Sequence, residues 1–145
     1  MPNAQVFNGM GHSGGNQSPE LSWEGAPEGT KSFVITMYDP DAPTGSGWWH
    51  WVVVNIPASV HELPTGASGK HMPQGALETR TDIGKPGYTG AAPPPGPAHH
   101  YVITIYALKV DKLDVTADTS AAMIGFMTNF NSLGKAALTV TYGGQ

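Results

Sequence analysis

The sequence predicts an all-β or β-rich domain with one or two short helices, and three observations lead there. The 145 residues carry 19 glycines and 13 prolines, which break the chain too often for long helices. Runs at residues 33–38, 48–56 and 101–108 are dense in β-branched and aromatic side chains and bounded by turn-forming residues. Only residues 114–129 carry apolar side chains at helical spacing. The length suits a single domain over 1–145, large enough to bury roughly 68–70% of its unfolded surface without disulfides.

In chain order, residues 1–20 are rich in Gly, Asn and Ser, with one short apolar element at Val6 and Phe7. The stretch GHSGG at 11–15 matches a nucleophile elbow in letters only. The elbow needs a strand before Ser13 and a helix after it, and Gly14, Gly15 and Pro19 prevent the helix, so a flexible loop is expected. Asn16-Gln17-Ser18 fits a glycosylation sequon by chance, there being no secretory leader. Leu21-Ser22-Trp23 is a short strand and 24–30 a turn. The strand at 33–38 ends at Asp39-Pro40-Asp41-Ala42-Pro43, where each proline lacks an N–H and extends its predecessor. Gly45, Ser46 and Gly47 turn the chain into the strand at 48–56. A short element falls near 60–63 and a strand edge at 76–82. Residues 84–98 form a stiff loop with five prolines, of the length usually reserved for function. The strand at 101–108 is apolar at nearly every position, which predicts burial on both faces. The helix at 114–129 takes Thr116 as its cap, Gly134 stops it, and 137–142 form the last strand.

Composition narrows the function. The net charge is −4, with six lysines and the single Arg80, and no basic cluster offers a nucleic-acid surface. With no cysteine there is no thiolate chemistry. No apolar run approaches a membrane span, and no leader stands at the N-terminus, so a cytoplasmic protein is expected.

One constellation carries chemistry. A return strand after a short turn sets Asp39 and Asp41 level with Trp48, Trp49 and His50 at one end of a sheet. His99 and Tyr101 open the third strand beside the proline-rich loop. Imidazoles, a phenol and backbone N–H groups near Gly90 are the donors that a phosphate ester needs. A carboxylate such as Asp39 holds a neighbouring histidine in one tautomer and raises its pKa, and pairs with the ammonium of an ethanolamine group. Trp49 and Pro94 supply apolar walls. Trp48 and Trp51 read as core. Asp41 caps the turn, Pro43 stiffens it, and Arg80 and Asp82 form a local ion pair or loop brace and are not part of the site itself. His12, His61 and His71 read as solvent-exposed, and alternation turns His100 away from His99 and Tyr101.

Three blocks, DPDAP at 39–43, GWWHWVVVNIP at 47–57 and GYTGAAPPPGPAHHY at 87–101, resemble in content and order the signature of the phosphatidylethanolamine-binding protein family, in its bacterial, Raf-kinase-inhibitor-like branch. The resemblance covers roughly residues 18–142. It implies a large central antiparallel sheet packed on a smaller one, with an anion pocket at one end. It implies a ligand set of Asp39, His50, Gly90, Pro94, His99 and Tyr101, to which the apolar wall adds Trp49, for phosphate or a phosphorylated head group such as phosphorylethanolamine. The family name suggests a regulatory role that extends to a protein partner such as a kinase; no cofactor, catalytic residue or metal is expected, and an aromatic-rich sheet face offers a surface for a homodimer. A short N-terminal segment common in bacterial relatives is expected before Met1. Two positions depart from the pattern. Ala91 stands where a proline is usual and His100 where an arginine is usual, which puts that arginine's contacts in doubt. The alternative is a hydrolase or metal-dependent enzyme using Asp39, His50 and His99, since two histidines and a carboxylate suit a non-haem metal. No short ligand spacing and no serine in a nucleophile setting accompany them.

Overall fold

The computed structural model describes residues 1–144. Its strands and helix follow in the order β1 (Asn8–Gly9), β2 (His12–Ser13), β3 (Leu21–Ser22), β4 (Ser32–Asp39), β5 (Trp48–Pro57), β6 (Glu62–Leu63), β7 (Leu77–Glu78), β8 (His99–Leu108), α1 (Ala121–Asn131) and β9 (Ser132–Tyr142). Five strands make one antiparallel sheet in the order β7-β5-β4-β8-β9, while β3 pairs with β6 and β1 with β2.

Period-two alternation divides the core. Phe33, Ile35 and Met37 of β4 join Trp51, Val53 and Ile103 on one face, which Leu21, Trp23 and Leu63 of the β3–β6 layer cover. Val34, Val52, Val54 and Leu108 project from the other face onto Ala121 and Ile124 of α1. Side chains as fully buried as Ile35 and Ile56 each contribute about 1.5–3 kcal/mol of hydrophobic stabilisation.

Two irregularities in β5 adjust this alternation. Asn55 adopts φ 60°, a left-handed value that short polar side chains tolerate. Its amide accepts from Leu113 N at 2.7 Å and donates to Leu113 O at 3.3 Å. Val54 and Ile56 consequently lie on opposite faces. Near the other end, Met37 pairs with Trp51 but Tyr38 pairs with Trp49, so His50 is an extra residue on β5, a β-bulge. The bulge lets His50 face the same side as Trp51 without breaking the sheet.

Several sequence expectations need correction. The helix begins at Ala121, not 114, because Ser120 is the cap: its hydroxyl accepts from Met123 N at 3.2 Å. Thr116 instead caps a tight turn, accepting from Asp118 N. Ser120→Ala should therefore cost about 1 kcal/mol, read as a loss of roughly 2–4 °C in thermal midpoint, whereas Thr116→Ala should leave the helix intact. Gly134 does not end the helix; α1 runs straight into β9 at an extended Ser132, and Gly134 lies inside β9. Strand β8 is only half-buried at Val102, Ile105 and Tyr106, because the helix and the two-stranded layer each cover part of a face. Residues 11–15 are not flexible: Gly14 N donates to Phe7 O and Gly15 N to Asn3 O, and a side chain at either glycine would strike the backbone of Val6 or Ala4. Phe33, Trp51 and Tyr101 of the sheet are buried while Tyr38, Trp48, Trp49, Tyr106 and Tyr142 are half-buried, and the exposed large apolar side chains include Phe126 and Phe130 of α1 and Leu138 of β9.

Candidate functional site

Antiparallel pairing brings the end of β4 and the beginnings of β5 and β8 to one end of the large sheet. Asp39 closes β4, Trp48 and His50 open β5, and His99 and Tyr101 open β8. A cavity of about 200 Å³ lies there, lined among others by Asp39, Pro43, His50, Gly90, Pro94, His99 and Tyr101. Its polar floor is almost wholly buried, with Asp39 at 3%, His50 at 6% and His99 at 8% exposure.

Each polar group is held by a specific bond. Asp39 Oδ2 accepts from His99 Nδ1 at 2.7 Å, and Oδ1 accepts from Asp41 N at 2.8 Å. His50 Nδ1 donates to Thr89 O at 2.9 Å, and Thr89 N donates back to His50 O. Both rings therefore carry their Nδ1 protons toward the scaffold, which leaves Nε2 of each for a ligand. Burial pushes His50 below the ordinary histidine pKa, only partly offset by the Thr89 carbonyl and the charge of Asp39. His50 is thus neutral at pH 7 and Nε2 is an acceptor. Asp39, expected to raise a histidine's pKa, pairs with His99 and does not reverse the effect of burial on His50. Burial, reinforced by Asp39, drives the Tyr101 phenol well above its usual range, so it stays protonated at physiological pH.

The proline-rich loop is fixed by the N-terminal segment. Gly90 N donates to Asn16 Oδ1 at 2.8 Å, Phe7 N donates to Ala91 O, and Tyr88 Oη donates to Gln5 O at 2.7 Å. The Gly90 N–H is therefore engaged within the scaffold and is not itself a free donor for a ligand. Asn16 is a clamp on this loop.

Other expectations need adjustment. Trp49 does not line the cavity: its ring packs at a tilt against Tyr38, centroids 4.3 Å apart, on the opposite face, and Trp48 takes its place beside His50. Alternation from His50 contained that signal. Arg80 pairs with Asp118 at 3.2 Å, not with Asp82, whose Oδ2 accepts from Trp49 N at 2.7 Å and braces the start of β5. It is Asp39 that caps the turn, while Asp41 Oδ2 accepts from both N and Nδ1 of His100, contacts that hold the Asp41 carboxyl below the usual range. His100 is exposed on the other face, as alternation requires, and His61 and His71 are exposed. His12 is not: it is half-buried, its Nε2 donating to Pro93 O at 2.9 Å. Phe7 and Met10 also line the cavity, and nothing in the sequence joins these N-terminal residues to a loop some 80 positions away. Among the described residues, no group of three or more His, Cys, Asp or Glu is disposed to hold a metal ion, and no helix is long and apolar enough to cross a membrane.

A β-rich body with a histidine–carboxylate cavity at the end of its main sheet is the architecture that the signature blocks imply. The chain belongs to the phosphatidylethanolamine-binding protein family, whose model matches residues 1–143. It is 56% identical over 144 residues to the UPF0098 protein YbhB of Escherichia coli, covering 98% of this chain and 91% of that one. The crystal structure of E. coli YbcL, described as a new member of the mammalian family, superposes with a TM-score of 0.97 at 50% identity, over 100% of this chain and 91% of that one. The Chlamydia trachomatis homologue CT736 superposes at 0.84 with 27% identity, over 99% and 89% of the two chains.

Proposed function

We propose that this single-domain protein binds a phosphoryl group, free or as a small phosphorylated head group, in the cavity between His50 and His99, without transforming it. The observation that supports the reading is the pair of buried imidazoles, each anchored through Nδ1 so that Nε2 remains for the ligand. With the Tyr101 hydroxyl and the apolar Trp48 and Pro94 they suit a small polar group on an apolar collar. Pro43 belongs to that collar, while Asp41, Arg80 and Asp82 act on the frame.

The proton accounting sets a pH dependence. A neutral His50 accepts a proton from a singly protonated phosphate, whereas a protonated His50 donates to a dianion. Either way the complex holds one proton more than neutral His50 and the dianion apart. Affinity should accordingly rise as pH falls from 8 toward the ligand's second pKa of about 6, by up to about tenfold per unit. Histidine-detected NMR titrations with O-phosphorylethanolamine at pH 8 and pH 6 check this. Saturable shifts at His50 and His99, stronger at pH 6 and abolished in His50→Ala, are expected. A zinc arm tests the alternative: tight zinc binding with no phosphate response would replace this reading with a metal-dependent one. A kinase-modulating role carries the same recognition to a phosphorylated side chain, and competition between O-phosphorylethanolamine and a phosphorylated kinase for the protein tests it.

A further inference from the structure

We propose an accessory subsite, beside the main cavity, that takes an uncharged apolar or aromatic substituent of the bound phosphoester. The inference rests on the phosphoryl reading above and adds the class of group attached to it. A second cavity of about 310 Å³, larger than the first, shares with it a wall made of Met10, Pro93 and Pro94. Its remaining lining includes His12, Pro95 and Tyr142, and none of the described residues around it is Asp, Glu, Lys or Arg. Among the described residues, no carboxylate lines it to offset the desolvation of an ammonium. Proline rings and two aromatic faces instead favour a flat or aliphatic group.

The subsite is built, not incidental. The His12 and Tyr142 rings meet at 5.9 Å, and the bond from His12 Nε2 to Pro93 O fixes the imidazole against the dividing wall. Met10 occupies the two-residue turn between β1 and β2 with φ 51°, followed by Gly11 at 87°, a hairpin geometry that normally selects Asn or Gly. The strained turn holds a methionine 72% exposed at the edge of both cavities. Its unbranched side chain adapts to whatever crosses from one cavity to the other, which makes Met10 a specificity-determining residue.

The test compares phenyl phosphate, inorganic phosphate and O-phosphorylethanolamine by calorimetry and NMR on the wild type, Tyr142→Ala and Met10→Gly. Phenyl phosphate is expected to bind about tenfold more tightly than inorganic phosphate, the effect of burying part of an aromatic ring. It should shift His12 and Tyr142 together with His50 and His99. Tyr142→Ala should erase the advantage while leaving inorganic phosphate unchanged, and Met10→Gly should reduce it. Equal affinities for the two phosphates, or an advantage that survives both substitutions, overturns the subsite while leaving the phosphoryl pocket standing. Absence of any His50 or His99 response to all three compounds is a different failure and removes the phosphoryl reading, and the subsite with it.

Discussion

Asp39→Ala should lower the unfolding free energy by about 3–5 kcal/mol and abolish phosphoryl binding. The carboxylate is 3% exposed and satisfies two donors at once, the Nδ1 proton of His99 and the backbone N–H of Asp41. Truncation leaves both donors without that acceptor, and an unpaired buried donor forfeits its full desolvation energy. The thermal midpoint should fall by roughly 10 °C, read by calorimetry at pH 7. Asp39→Asn separates charge from shape, because the amide still accepts one of the two bonds and should lose less than half as much. If Asp39→Ala melted within 2 °C of the wild type, the His99–Asp39 pair would be ruled out as the anchor of the site. A double-mutant cycle with His99→Ala then apportions the coupling.

Gly90→Ala should be nearly as damaging, by a purely steric route. A Cβ on Gly90 would sit 2.6 Å from Phe7 N and 2.7 Å from Val6 C, both backbone atoms that cannot rotate away. The N-terminal segment must lift off, and the bonds from Gly90 N to Asn16 Oδ1 and from Phe7 N to Ala91 O go with it. Overpacking of this kind costs about 3 kcal/mol. Hydrogen exchange locates the damage: amides of residues 5–17 should lose protection while those of β4 and β8 keep theirs. Uniform loss across the sheet, or no loss in the N-terminal segment, would contradict the clamp.

These two residues mark where the sequence was legible and where it was not. Asp39 was visible because Pro40 and Pro43 interrupt a strand around it, and interruption beside a carboxylate is a local signal. His50, His99 and Tyr101 were visible because they begin strands, and antiparallel pairing brings strand starts and ends together. Trp49 lies outside the pocket, and the alternation that puts His50 there also puts Trp48 there, two residues before it on the same face. The bulge at His50 was not legible, since one extra residue in a ladder leaves no mark in composition. The cap at Ser120 is not legible, because Thr116 and Ser120 both precede an apolar residue and the deciding hydrogen bond to Met123 exists only in three dimensions. The roles of Phe7, Met10 and Asn16 depend on contacts with residues 88–94, a separation over which no local pattern operates.

That separation sets the order in which the molecule is assembled. Strands β4 and β5 are joined by an eight-residue connection and can zip early at modest entropic cost. The pocket needs residues near 7–16 to find a loop near 88–94, and that long closure is repaid only after the sheet exists to receive it. The cavity wall built by these two segments is thus expected to mature after the sheet and to open before it, leaving the sheet folded. A ligand filling the cavity would act on that final step, holding shut a seam between the N-terminal segment and the proline-rich loop.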